Sequence, residues 1–400
     1  MTTTADWKAL EAKYYMQVVR RMPPVLVRGE GTKVWDADGN SYLDFTAGWA
    51  VLNLGHSHPA VTEAIREQAG AIMQMSNLFY TTPQLNLAKT IIDNSCVDRI
   101  FFCNSGAEAN EGASKLARKY GKIHKNGAYE IITALNSFHG RTMGMMAATG
   151  QSHYQENWKP LMPGFTNVPY NDVEAIKNAT NDRTCAVLVE PVQGEGGVNV
   201  PDPDYLIQVQ AWCKENGILF MLDEVQTGMG RLGTLFGYQQ FDGVEPDVIT
   251  LGKAVGAGAP LGAFAAKEFA CALEPGDHGS TFGGNALTTA AGAAAARWMV
   301  ENDVPAQAAK SGAYLVGKLE ALKEKHNFVS GTRGMGLLIG LQFTDDRSAA
   351  LVRECLDNGL LLNAVRPNIV RFMPPLTVSN EEIDQAVDIL DAALAKVPAP

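Results

Sequence analysis

An α/β protein with a mainly parallel central sheet, joined to a smaller α+β domain, is the architecture predicted for this 400-residue chain. Three observations predict it. The length exceeds what one hydrophobic core ordinarily serves, so a second, smaller core is expected. From about residue 56, helical periodicity alternates with short, almost uninterrupted apolar runs, the mark of strands covered on both faces. Several of those runs end on Asn104-Ser105-Gly106, Glu190, Asp223 and Gly252-Lys253, at the edge where parallel sheets bind ligands.

In chain order, residues 6–21 carry helical spacing, and Pro23-Pro24 stops them. Residues 32–35 and 41–45 alternate on either side of Asp36-Ala37-Asp38-Gly39-Asn40, the pattern of a hairpin turning on Asp-Gly. Strands are predicted over 100–103, 130–134, 185–189, 218–222, 248–251 and 261–265, with a helix over 107–120. The small-residue run at 290–296 reads as a tightly packed internal helix, within the helix that leads out of the large domain after Asn285. Residues 315–325 are helical, and 336–343, 359–363 and 369–372 read as a small sheet. A last amphipathic helix starts near Ser379, whose spacing to Glu382 is that of a capping box. The terminal stretch 397–400 is expected to fray. The expected division is a helix-and-hairpin segment of the small domain (1–55), the large domain (56–295) and the C-terminal small domain (296–400).

A net charge of −10 with no basic run argues against a nucleic-acid surface. No stretch approaches the ~18 consecutive apolar residues of a membrane span, and the first residues lack the basic-then-apolar plan of a signal peptide. The six cysteines are scattered without CxxC spacing, so reduced thiols and a cytoplasmic location are expected. His56 and His58 have no HExxH or carboxylate cluster beside them, and no metal site is expected.

The chemistry centres on Lys253, in a glycine-rich loop after 248–251, and on Asp223, thirty positions upstream. A lysine and an acid, each at the carboxyl end of a buried strand, suit a cofactor held as a Schiff base whose ring nitrogen stays protonated. Pyridoxal phosphate is that cofactor. Taken alone, Gly-Lys also reads as a surface lysine opening a loop. Ser105-Gly106-Ala107-Glu108 opens a helix directly after a strand, where unpaired amides and the helix dipole seat a phosphate. The same four residues also read as a plain capping box. Residues 278–284 add a hydroxyl-rich loop, whereas GxxxxGK[ST] and GxGxxG are absent.

The motifs NSGAEANE, FHGRT, EPVQGEGGV, DEVQTGMGR, GK and GDHGSTFGGN occur in this order, followed by RFMPPL near the carboxyl end. With them the chain resembles, over essentially its whole length, the class III, fold-type I pyridoxal-phosphate aminotransferases. The resemblance implies that Lys253 holds the cofactor and then shuttles the substrate proton, with Asp223 paired to the pyridine nitrogen. It implies that Gln226 bonds the ring's phenolic oxygen and that Phe138 stacks on the ring. Ser105, Gly106 and Ala107 would cradle the phosphate, and Thr281 would reach it from a neighbouring subunit, which requires a homodimer or larger assembly. Arg141, assisted by Ser280, would grip a substrate carboxylate, although Arg141 also reads as half of a structural salt bridge. Glu195 and Arg371 resemble a switchable pair that lets one site accept two carboxylate positions.

HGSTFGGN and LLLN…VRFMPPL are most similar to members that act on N-acetylornithine. The expected reaction is therefore transfer of that donor's terminal amino group to 2-oxoglutarate in a ping-pong cycle. Residues 48–56 are closer in part to enzymes acting on 4-aminobutyrate; Trp49 is bulky for this position, which is expected to border the substrate channel. Ala286 replaces an expected proline, and GKAVGAGAP varies a more glycine-rich loop. Ornithine, 4-aminobutyrate and succinyl-diaminopimelate stay open as donors, and so do a racemase or mutase on the same fold and a non-catalytic cofactor-binding regulator.

Overall fold

The computed structural model describes residues 3–398, so the fraying expected at 397–400 falls partly outside the described residues. A first helix, Thr4–Tyr14, starts on Thr3, which exchanges capping-box bonds with Asp6. It stops short of the expected 6–21. Tyr15 turns to extended backbone (φ −99°, ψ 140°), and no residue of the helix is buried, so no packed face carries it further.

Strands β1 (Leu26–Glu30), β2 (Lys33–Asp36) and β3 (Ser41–Asp44) form an antiparallel meander. The β2–β3 hairpin matches the expected one; the Asp36 carboxylate accepts the Asp38 and Asn40 amides and so fixes its turn. β1 is almost wholly exposed, and no alternation marks it in the sequence.

Strands β4 (Arg99–Cys103), β5 (Glu130–Ala134), β6 (Phe165–Val168), β7 (Thr184–Val189), β8 (Leu219–Asp223), β9 (Val248–Leu251) and β10 (Gly262–Ala266) build one sheet. Their order is β4-β10-β9-β8-β7-β5-β6. Strands β9, β8, β7, β5 and β6 are parallel. β10 is antiparallel to both β9 and β4, so β4 points the same way as the parallel set. Every position of β7 to β10 is buried, as their continuous apolar runs require. β6 carries Thr166 and Asn167 at its centre and presents no such run.

The helix Gly106–His124 lies across this sheet, contacting β10, β9 and β7. The alanine-rich helix Ala286–Glu301 packs on Pro59–Ala71 and Thr82–Asp93. Its small residues are required: a Cβ on Gly292 would sit 2.4 Å from the Val255 carbonyl oxygen.

After the helix Val304–Lys325, strands β11 (Val329–Met335), β12 (Leu338–Phe343), β13 (Leu360–Leu361), β14 (Asn363–Arg366) and β15 (Ile369–Phe372) complete the fold. β11-β12-β15-β14 form a third sheet, and β13 joins the β1–β3 meander. The single strand expected over 359–363 is divided. Leu360 pairs in parallel with Leu43 of β3, whereas Asn363 pairs with Arg371 of β15. The chain changes sheets at Leu362, whose own side chain is buried. In the last helix, Asn380–Lys396, Ser379 and Glu382 exchange the two expected capping bonds. Among the described residues no helix is long and apolar enough to cross a membrane.

Candidate active site

A cavity of about 230 Å³ lies beyond the carboxyl ends of β4, β7, β8 and β9. Gly106, Ala107, Phe138, Asp223, Gln226 and Lys253 line it, together with Arg141 and Glu195. With Glu190, nine of the residues singled out in the sequence therefore meet in one place. Asn110, His139 and Val225 join them.

Lys253 opens a short 3-10 turn (Lys253–Gly256) directly after β9, with a left-handed φ of 47°. That backbone costs a non-glycine residue about 1–3 kcal/mol, a strain typical of functional positions. Just before it, a Cβ on Gly252 would sit 3.0 Å from the Gly106 backbone, so the lysine loop and the helix start touch main chain to main chain. Burial pulls the Lys253 ammonium below its ordinary value; Glu195 opposes this, and Arg371 adds to it. The consequence is a larger share of free amine at neutral pH.

Asp223 ends β8 and is 3% exposed. Its Oδ2 accepts from Nδ2 of Asn110 (2.7 Å) and lies 2.8 Å from Nδ1 of His139, while Oδ1 accepts the Val225 amide (3.0 Å). A carboxylate here selects the imidazole tautomer with its proton on Nδ1. Asn110 is itself fixed, accepting from Oγ1 of Thr250 on β9 (2.6 Å) and donating to the His139 carbonyl (2.8 Å). Nε2 of His139 is buried with no partner among the described residues.

At the start of the helix Gly106–His124, Ser105 is the N-cap, its Oγ accepting from the Glu108 amide (3.2 Å). The reciprocal capping bond is absent. The Glu108 carboxylate accepts instead from the amide and side chain of Asn104, both at 2.8 Å. The Gly106 and Ala107 amides belong to the first turn, where no intrahelical acceptor exists. A Cβ on Gly106 would stand 2.6 Å from Cγ1 of Val225, so only glycine leaves this approach open.

The 194–199 loop and β15 supply the remaining charges. Nη1 of Arg371 lies 2.8 Å from Oε1 of Glu195, and the arginine is fully buried. Gln226 braces the pair, donating to Glu195 (3.3 Å) and accepting from Arg371 (3.2 Å). Asn363 accepts from Nη2 of Arg371 at 2.8 Å. A Cβ on Gly194 would fall 1.6 Å from Oε1 of Gln226, which accounts for the glycine. Burial raises the Glu195 carboxyl, but the Arg371 and Lys253 charges outweigh it and hold it below its ordinary value. Glu190 accepts the Phe138 amide (3.0 Å) and the Gly194 amide (3.3 Å). Burial pushes its carboxyl up to about 7; His139 opposes the rise, and Asp223 adds to it.

The Arg141 guanidinium lies 3.9 Å over the Tyr154 ring and 5.4 Å from the Phe138 centroid. Stacking of this kind holds an arginine without neutralising it. It pairs with no carboxylate among the described residues, so the salt-bridge reading of Arg141 gives way to that of a free cation.

Ser105 and Arg371 adjoin the cavity through Gly106 and Glu195 without lining it, and Ser280 and Thr281 stay away from the cavity of this chain. Oγ of Ser280 accepts from Asn104 (3.1 Å) and from the Gly283 amide (2.9 Å). Thr281 is exposed, its carbonyl accepting from the Gln74 side chain. Trp49 does not line this cavity either. Ala47, Gly48, Trp49 and Ala50 all have positive φ (44°, 62°, 64° and 63°). This left-handed turn directs Trp49 to a separate cavity of about 810 Å³, shared with Arg20, Arg21 and Asn363.

Asn110, His139 and Tyr154 are functional neighbours that the sequence does not single out, whereas Glu190 is one of the strand-end residues expected at this edge. His139 and Asn110 sit inside quoted motifs, FHGRT and NSGAEANE, but nothing in their spacing says that both converge on Asp223.

Pyridoxal phosphate suits these residues. A buried, triply held carboxylate is available for a protonated ring nitrogen, and Phe138 and Val225 give apolar walls. The Gly106 and Ala107 amides offer a phosphate seat, and Lys253 presents its amine to the same cavity.

Comparison with known proteins agrees. A family model described as Aminotransferase class-III matches residues 14–394. The acetylornithine aminotransferase of Caldanaerobacter subterraneus subsp. tengcongensis is 49% identical, over 97% of this chain and 98% of its own. That of Methanocaldococcus jannaschii is 48% identical, over 98% of each chain. Among solved structures, the ornithine aminotransferase of Toxoplasma gondii ME49 superposes with a TM-score of 0.94 at 33% identity, covering 99% of this chain and 96% of its own. The acetylornithine aminotransferase of Elizabethkingia anophelis gives 0.88 at 34%, covering 99% of this chain and 100% of its own. With its fold, its cavity and its full-length relatives in agreement, this chain belongs to the class III aminotransferases, enzymes that use pyridoxal 5'-phosphate.

Proposed function

We propose that this transaminase moves the terminal amino group of N-acetylornithine to 2-oxoglutarate in two alternating half-reactions. The supporting observation is the closed Glu195–Arg371 pair, at 2.8 Å, whose Glu195 lines the same cavity as Arg141. A terminal-amine donor reacts far from its α-carboxylate, so one arginine suffices for it, and Arg141 takes that role. Glutamate reacts beside one carboxylate and carries a second, so it needs another cation. Arg371 becomes that cation when Glu195 withdraws, and Asn363 and Gln226 keep its guanidinium oriented meanwhile.

When bound, the cofactor supplies an electron sink for the bond broken at the amine-bearing carbon. Asp223 holds the proton on the ring nitrogen, and His139 and Asn110 hold Asp223. With the cofactor bound, Nζ of Lys253 would take the proton from the amine-bearing carbon and return it one position away, an advantage of proximity and of an amine that burial makes easier to deprotonate. Gln226, Ser105, Gly106, Ala107 and Phe138 orient the cofactor in this reading.

A homodimer belongs to the same proposal, with Thr281, and Ser280 beside it, acting at the partner's cavity. Its support is an apolar surface around Thr281, where Leu78, Tyr80 and Phe282 are 86%, 93% and 61% exposed. The division at 1–55, 56–295 and 296–400 is likewise proposed, supported by the pairing of β3 with β13. A cytoplasmic location is proposed from the six free cysteines.

Ornithine is the second reading, favoured by the superposition on the Toxoplasma gondii ornithine aminotransferase. A panel of donors with 2-oxoglutarate decides between them. N-acetylornithine is expected to give the highest kcat/KM among N-acetylornithine, ornithine, 4-aminobutyrate and succinyl-diaminopimelate; a higher value for another donor would replace it.

A further inference from the structure

The loop carrying Glu195 is gripped from the C-terminal sheet by more than Arg371. On β14, Nε of Arg366 donates to the Gly196 carbonyl (3.0 Å), and both terminal nitrogens lie 3.4 Å from Oε1 of Gln151. On β11, Nη1 of Arg333 donates to Oδ1 of Asn199 (3.3 Å). Asn199 then donates to Gln193 (2.9 Å) and to the same Gly196 carbonyl (3.3 Å). Both arginines are half-buried, and among the described residues neither meets a carboxylate. Their polar partners are carbonyl and amide oxygens on or beside one loop. Gly197 (φ 115°) lies between them: a Cβ there would be 3.2 Å from Cγ of Arg366 and 3.5 Å from Nη2 of Arg333.

The β14–β15 hairpin thus holds two consecutive loop residues. Arg371 takes the side chain of Glu195, and Arg366 takes the carbonyl of Gly196. The two strands are direct neighbours, with Asn363 opposite Arg371 and Arg366 opposite Ile369. Arg371 is fully buried, whereas the Glu195 side chain is 29% exposed, so withdrawal falls to Glu195. Any backbone movement that releases Glu195 strains the adjoining Gly196 bond.

We propose that Arg366 is a positioning residue for the Glu195–Arg371 pair: by holding Gly196 it keeps Glu195 on Arg371 and sets how readily a dicarboxylate displaces it. This rests on the exchange of carboxylates at Arg371 described above. Arg366 touches neither substrate nor cofactor in this account. Its effect passes through the loop and is selective for ligands that need Arg371.

The test is calorimetric titration of glutarate, an unreactive dicarboxylate, into the cofactor-loaded enzyme, with Arg366→Met, Arg366→Lys and Glu195→Ala beside wild type. Arg366→Met is expected to bind glutarate about threefold to tenfold more tightly, the range one hydrogen bond contributes. The glutamate half-reaction should gain in kcat/KM by a similar factor, while KM for N-acetylornithine stays unchanged. Arg366→Lys keeps the charge and loses the Nε donor, so it should shift the same way by less; it carries the test if Arg366→Met does not retain cofactor. In a Glu195→Ala background, Arg366→Met should add nothing, since both act on one step. Unchanged or weaker glutarate binding in the Arg366 variants, with Glu195→Ala still tighter than wild type, would overturn the role of Arg366 alone. If Glu195→Ala itself binds glutarate no more tightly than wild type, the exchange at Arg371 fails and this proposal falls with it.

Discussion

Nδ1 of His139 lies 2.8 Å from Oδ2 of Asp223, and the same oxygen accepts from Asn110 at 2.7 Å. Both members of the His139–Asp223 pair are buried. The acid at the heart of the site is thus held by two side chains from two different helix-and-loop segments. Asp223→Asn should slow both half-reactions about 10- to 100-fold, from the roughly 1.5–3 kcal/mol that a hydrogen bond to a charged group contributes. His139→Ala should cost less, about threefold to tenfold, because Asn110 and the Val225 amide remain. Single-turnover rates check the ordering; a larger loss in His139→Ala than in Asp223→Asn would contradict it.

Glu190 gives a prediction in pH. Burial pushes its carboxyl up to about 7 from an ordinary 4.5. A raised folded-state value means that the proton stabilises the fold at low pH, fully below the ordinary value, and that this is lost as pH rises through about 7. Glu190→Gln removes that loss. The Tm of the variant should therefore gain on wild type between about pH 5 and about pH 8. A constant offset across the range would show that Glu190 does not titrate there.

Arg141 has its guanidinium over Tyr154 and, among the described residues, no carboxylate partner. Arg141→Ala should raise KM for N-acetylornithine about 10- to 100-fold through the lost charge-assisted contact. Tyr154→Leu should raise it by less, since the charge survives and only its placement suffers. Equal KM in wild type and Arg141→Ala would remove this residue from the substrate site.

Thr281 is exposed on its own chain and absent from its own cavity. If it completes the partner's site, co-expressed Lys253→Ala and Thr281→Ala chains should form hybrid dimers with one intact site each. Activity near half of wild type per hybrid dimer is expected. Hybrids no more active than the two parent variants would place Thr281 outside the site.

The sheet was the most legible part of the sequence, because β7 to β10 are buried on both faces and their apolar runs admit no other reading. Where burial is slight or the residues are polar, as in β1 and β6, the pattern vanishes and so does the strand. The ends of the runs located Asp223 and Lys253, since strand ends in parallel sheets collect ligands. His139 and Asn110 were harder to see. Both act by meeting Asp223 across long sequence separations, and only the assembled fold reveals that. Trp49 is a further case: a left-handed turn sets it in a cavity shared with Asn363, the residue that holds Arg371, a juxtaposition that its place in the sequence does not disclose.

The central claim is that Glu195 lets one site serve two carboxylate geometries by covering and uncovering Arg371. Its most direct test is the pair of half-reactions, measured separately by single turnover with N-acetylornithine and with glutamate, in wild type and in Glu195→Ala. The pair at 2.8 Å predicts that removing the carboxylate leaves Arg371 open, shifting the ratio of rates toward glutamate by about tenfold, the value of one charge-assisted contact. A ratio that stays at the wild-type value, or moves toward N-acetylornithine, would contradict the switch.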